Sequence, residues 1–319
     1  ASHHYLMSTN TAHTLAEEFS YVTPANKFKQ SYIHPDPSTW RWEHCDDWVA
    51  FALRNNQVMR LHAPISPQSS QWVKNDDRTA QELQQMLSEY MSALCEKYNG
   101  ISHIKWLDVV NETVNADGTW FGPKTGTDSW ENPWPLIGYD DDINQTPLYI
   151  KQAFEIADIL APDLKLIINQ HGSMETAMWD KIKETIFYLR NLGLRVDGIG
   201  WQAHVNAGWE NEGNNIEKLK SLIEWAHDND LEFHVTENNA WLQSWEWDDS
   251  NLNPVPDLER EKNFEKQGET FAAIVRTLLP YRKTGVVTWN LWHIQDDECQ
   301  GYKWGKSGCL WTTDGKPKS

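Results

Sequence analysis

Residues 104–112 read "IKWLDVVNE", an apolar run that ends on a polar tip. Trp106, Leu107, Val109 and Val110 give it the β-branched and apolar character of a strand covered on both faces. Runs of the same kind recur as "EFSYVTP" (18–24), "QVMRLHAP" (57–64), "LKLIINQ" (164–170), "VDGIGWQAHV" (196–205), "LEFHVTENN" (231–239) and "GVVTWNLWH" (285–293). Between them lie segments of helical spacing. In "TAQELQQMLSEYMSALCEKY" (79–98), Leu83, Met86, Leu87, Tyr90 and Leu94 form one apolar stripe. "TPLYIKQAFEIADILAP" (146–162), "METAMWDKIKETIFYLRNLG" (174–193) and "NIEKLKSLIEWAHDND" (215–230) read the same way. Strand alternating with helix predicts a parallel sheet with crossover helices. Seven strands are visible, and an eighth is expected in or before "ASHHYL" (1–6). The expected fold is therefore α/β, a (β/α)8 TIM barrel, with residues 1–319 as one domain. A doubly wound open sheet ranks second, because no glycine-rich phosphate loop follows any strand.

Composition narrows the partners. A formal net charge of -18 argues against nucleic acid or an anionic lipid surface, and a neutral substrate suits it better. No run of about 18 apolar residues occurs, so no membrane-spanning helix is expected. The 19 Trp include several in polar, Pro-containing loops such as "WENPWP" (130–135). Exposed indoles in such loops are costly unless used, and flat rings suit the apolar faces of sugars. Carbohydrate is the first candidate substrate. None of the four cysteines forms a CxxC pair, so no metal site is expected. Cys45 and Cys95 fall in helical patterns and read as buried thiols, whereas Cys299 and Cys309 share one loop-rich stretch and can pair in a secreted protein.

Polar residues collect where the strands end: Asn26 and Lys29, His62, Asn111 and Glu112, Asn169, Gln202 and His204, Glu237, Trp289 and His293. In a barrel these ends converge on one mouth, where active groups sit. A single Glu at a strand end is more often a helix cap or an ion-pair partner than a catalyst. Two of them among so many polar strand ends point to glycoside hydrolysis. One carboxyl donates a proton to the leaving oxygen while the other, ionised, attacks the anomeric carbon.

These segments resemble glycoside hydrolase family 10, the endo-β-1,4-xylanases. "DVVNE" (108–112) is similar to that family's acid/base motif, which implies Glu112 as general acid/base with Asn111 beside it. "VTEN" (235–238) resembles its nucleophile strand and implies Glu237 as nucleophile. "YVTPANKFK" (21–29) is similar to the family's T-P-E-N-x-x-K segment, so Asn26 and Lys29 match glycone-binding residues. "QAH" (202–204) matches its Q-x-H strand, His62 the first His of its G-H-x-x-x-W-H strand, and Trp289 the Trp that floors the sugar site. The resemblance runs from about residue 17 to the C-terminus. It implies a secreted, cell-surface or periplasmic enzyme that cleaves β-1,4-xylosidic bonds in xylan with retention and without a cofactor.

The departures bear on substrate. Ser66 and Pro67 stand where the family has W-H, Ala25 replaces the Glu of T-P-E-N, and Asn239 replaces the Asp of T-E-L-D. Losing hydrogen-bond partners can redirect sugar choice. Alternatives are therefore a retaining hydrolase of another or decorated β-glycan, or a non-catalytic carbohydrate-binding barrel. The segment 115–142 reads either as an aromatic wall of the cleft or as a packed surface loop. Only "ASHHYL" precedes the helix pattern "TAHTLAEEF" (11–19), so the chain is expected to be trimmed at the first strand and last helix, an excerpt of a modular protein.

Overall fold

The computed structural model describes residues 2–7, 9–74, 77–123, 131–242, 257–296, 308–312 and 315–318. The backbone groups into two compact units. One comprises Leu15–Gln170 and Glu175–Gly198, the other Ala1–Thr14, His171–Met174 and Ile199–Ser319.

In the first of these, parallel strands β1 (Tyr21–Val22), β2 (Val58–Leu61), β3 (Ile104–Asn111) and β4 (Lys165–Gln170) pair in chain order. Helix α1 (Thr9–Glu18) precedes β1, and helices α2 (Gln30–Ile33), α3 (Glu43–Arg54), α4 (Ala80–Tyr98), α5 (Leu148–Leu160) and α6 (Thr176–Asn191) belong to the same unit as these strands. The stripe expected in 79–98 is buried along α4 at Leu83, Met86, Leu87, Tyr90 and Leu94. Thr79 starts that helix: its hydroxyl accepts from the Glu82 N–H at 3.2 Å, and the Glu82 carboxylate accepts from the Thr79 N–H at 2.7 Å. This reciprocal cap satisfies donors that the first turn otherwise leaves open. Cys45 on α3 and Cys95 on α4 are buried free thiols, as expected. Burial pushes both up to about 12.

The other unit carries β5 (Gly198–Trp201) from Ile199 onward, β6 (His204–Asn206), β7 (Glu232–Trp241) and β8 (Val287–Leu291), with β6 and β8 parallel to β7. Its helices are α7 (Asn215–Asp228) and α8 (Asp257–Leu278). Cys309 is disulfide-bonded, while Cys299 lies outside the described residues.

Two expectations change. Residues His3–Met7 form a 3-10 turn rather than a strand. Among the described residues, the strand that delivers Asn111 is the third. The run 196–205 is also not one strand. Ala203 takes φ +58, a left-handed conformation that a strand cannot continue through, and so separates β5 from β6.

A buried ion pair lies on β2 and β3. The fully buried Asp108 carboxylate accepts from Arg60 Nη1 at 2.5 Å and meets His62 Nδ1 at 2.9 Å. Arg60 is also fully buried, and its Nε and Nη2 make no hydrogen bond among the described residues. Asp108→Ala leaves that guanidinium uncompensated, and removing one partner of a buried pair costs about 3–5 kcal/mol. Denaturant unfolding should show a loss of that size. A change below about 0.5 kcal/mol, the range of surface substitutions, would remove this account of the pair.

Candidate active site

β3 brings Asn111 and Glu112 out of the core. Asn111 is buried, and its Oδ1 accepts from Asn169 Nδ2 at 2.9 Å. Glu112 is half-buried with φ +57, the left-handed region, which costs a non-glycine residue about 1–2 kcal/mol. Its N–H donates to the Asn169 carbonyl at 3.1 Å, so the strained residue is tied to the end of β4. Beyond it the chain turns back through a bridge between Val114 and Trp120. Gly118 closes this hairpin at φ +84, where a Cβ would come within 2.9 Å of the Ala177 carbonyl oxygen. Only glycine fits that approach.

The other residues expected from this half of the sequence follow β1 and β2. His62 is buried against Asp108, which fixes its ring. Lys29 is 5% exposed, and its ammonium donates to Gln68 Oε1. Asn26 is exposed, with its carbonyl accepting the Lys29 N–H at 3.2 Å. Sequence reasoning missed Gln68, because its tie to Lys29 spans 39 positions and has no local pattern.

Where the family pattern has W-H, Ser66 is buried and its carbonyl accepts from the Trp134 indole N–H at 3.2 Å. Trp134 is fully buried and opens a 3-10 turn, Trp134–Ile137. Within 115–142 this portion is packed loop, while 124–130 lie outside the described residues. Trp120 remains half-buried, its indole N–H on the Asn144 carbonyl at 3.0 Å.

β7 carries Glu237, which is 3% exposed. Its N–H donates to the Gln202 carbonyl at 3.1 Å, and its Oε2 lies 3.4 Å from His204 Nε2. Gln202 is buried, and His204 is 23% exposed. The other ring nitrogen, Nδ1, sits 2.9 Å from Asn239 Oδ1. A carboxylate at 239 would only accept and would hold a proton on Nδ1. An amide offers both a donor and an acceptor, so Asn239 can serve either tautomer of His204.

The pairing of β7 with β8 shifts register between Val235 and Asn238, across Glu237 itself. Such irregularities re-aim a side chain at the end of a strand. Trp289 on β8 donates its indole N–H to Asn238 Oδ1 at 2.8 Å and meets Phe271 edge-on. The ring that meets His204 edge-on, 6.1 Å away, is Trp292. The sequence reading passed over Trp292, which lies at the polar end of the same run.

Comparison with known proteins places this arrangement. The model of Glycosyl hydrolase family 10 matches residues 1–319. A relative from Caldicellulosiruptor saccharolyticus, Endo-1,4-beta-xylanase A, is 30% identical over 317 residues, covering 95% of this chain and 85% of its own. The solved structure of an endo-1,4-beta-xylanase from Caldicellulosiruptor owensensis is similar at TM-score 0.77 and 26% identity, over 98% of this chain and 91% of that one. A mutant structure in complex with xylotriose is similar at TM-score 0.79 and 27% identity, over 98% and 90% of the two chains. The fold class is the (β/α)8 barrel. The chain belongs to glycosyl hydrolase family 10, whose enzymes act with retention.

Proposed function

We propose that this chain hydrolyses internal β-1,4 links between xylose units of xylan. Glu237 attacks the anomeric carbon and forms a glycosyl-enzyme, while Glu112 gives its proton to the departing glycosidic oxygen. Glu112, now ionised, then takes a proton from water, whose oxygen displaces Glu237 from the anomeric carbon. Two inversions give net retention. His204 and Gln202 orient the nucleophile and the 2-hydroxyl beside it, with Asn111 next to the acid/base. Lys29, Asn26, His62 and Trp289 hold the glycone sugar. Action on an insoluble or very large polymer points to a secreted, cell-surface or periplasmic enzyme.

The observation that carries this reading is the buried Glu237 carboxylate facing His204 in a family-10 chain. The substrate rests on relatives, one named an endo-1,4-beta-xylanase and one solved with xylotriose. Ala25, Ser66 and Pro67 each lack a side-chain group that the family pattern supplies to the glycone sugars. A decorated xylan is therefore favoured over plain xylan.

The test is product analysis on plain xylan, arabinoxylan, glucuronoxylan, mixed-linkage glucan and cellulose. Xylo-oligosaccharides retaining the β-configuration are expected, most from a decorated xylan. Release from a glucan alone would overturn the substrate and keep the chemistry. Binding to xylan with no release would leave a sugar-binding barrel.

A further inference from the structure

Gln170, the last residue of β4, is fully buried and reaches across to the peptide units that follow Glu112. Its Oε1 accepts from the N–H of Thr113 at 3.0 Å and from that of Val114 at 3.4 Å. Its Nε2 donates to the Val114 carbonyl at 2.8 Å. On the other side of Glu112, Asn169 ties down the Glu112 N–H and the Asn111 amide. Residues 111–114 are thus bonded to two consecutive residues of β4.

A left-handed Glu is unfavourable by itself and persists only where its surroundings over-determine it. The torsions at Glu112 set the direction of its Cα–Cβ bond. The peptide before Glu112 is held through Asn169 and the peptides after it through Gln170. We propose that Gln170 is a positioning residue for Glu112: its carboxamide aims the acid/base carboxyl at the glycosidic oxygen. A carboxylate here could accept from both N–H groups but could not donate to Val114, and it would add a negative charge near Glu112. The amide does both jobs without charge. The inference rests on Glu112 being the acid/base of the proposed reaction.

The role has a signature that a purely structural contact lacks. Proton donation matters for a poor leaving group and hardly at all for a good one. Gln170→Met keeps the approximate volume and removes the three hydrogen bonds to Thr113 and Val114, along with the one its Nε2 donates to Met178 Sδ. Its kcat/KM should be compared with wild type on phenyl β-xylobioside, a poor leaving group, and 2,4-dinitrophenyl β-xylobioside, a good one.

The expected result is a loss of about tenfold to a hundredfold on the phenyl substrate, the scale of an ångström-sized misplacement. The dinitrophenyl substrate should change by less than about threefold on the same argument. Equal losses on both, or none on either, would overturn the proposal. Gln170→Glu keeps the two accepting contacts and serves if the Met variant does not fold; the same split, smaller, is expected, and equal loss counts against the proposal. Glu112→Ala is the control. If it shows no split, the acid/base reading fails, independently of Gln170.

Discussion

Glu237→Ala lowers turnover of xylo-oligosaccharides by about a millionfold, the scale seen when an enzyme loses its covalent nucleophile. The carboxylate is 3% exposed and faces His204, so little water competes with the anomeric carbon for it. Without it there is no glycosyl-enzyme, and a water in its place attacks with neither covalency nor charge. The variant leaves a cavity the size of a carboxyl group. Azide entering that space attacks an activated glycoside from the side Glu237 used. The product is then an α-glycosyl azide, with inverted configuration. Nuclear magnetic resonance of the product reads this directly. A β-azide, or an activity loss below tenfold, would remove Glu237 from its role.

Glu112→Ala gives the complementary result. Loss of a general acid/base costs about a hundredfold to ten-thousandfold. The first step on a dinitrophenyl glycoside needs no proton, so glycosyl-enzyme forms at near the normal rate and then accumulates, because no base activates water. A burst of dinitrophenolate followed by a slow steady state is the expected time course. Azide needs no base, so it restores turnover and attacks the glycosyl-enzyme on the face opposite Glu237. The product is the β-azide. The two variants thus yield azides of opposite configuration. Identical products from both would falsify the division of labour between Glu112 and Glu237.

The helices of the chain are legible in the sequence because their burial repeats at short intervals. Leu83, Met86, Leu87, Tyr90 and Leu94 mark α4, and the Thr79–Glu82 pair lies where the stripe begins. β3 is legible for a related reason, its nearly continuous apolar run ending at Asn111. β1, only two residues long, lies inside the expected run 18–24, which overstates its length, and His3–Met7 has apolar residues without a repeat. Left-handed turns at Glu112 and Ala203 leave no trace in composition, since neither residue is Gly, Asn or Asp. The candidate site follows the same division. Its carboxylates are readable as polar residues at the ends of apolar runs. Gln68, Gln170 and Trp134 act through contacts 39 to 68 positions away, which a local reading cannot reach.

The buried thiols of Cys45 and Cys95 give the protein an internal clock for opening. The Cys45 thiol donates to the Lys27 carbonyl at 2.9 Å, and both thiols are held up to about 12 by burial. The thiolate, not the thiol, attacks an alkylating reagent, so neither group reacts at neutral pH while its helix stays packed. Each modification event therefore counts an excursion in which α3 or α4 has come away. Mass spectrometry of the two peptides, run with and without xylo-oligosaccharide, would time those excursions separately. A sugar that docks beside Lys29 should slow the Cys45 clock more than the Cys95 clock, since Cys45 is bonded to the segment that carries Lys29. Equal slowing would mean the two helices open together.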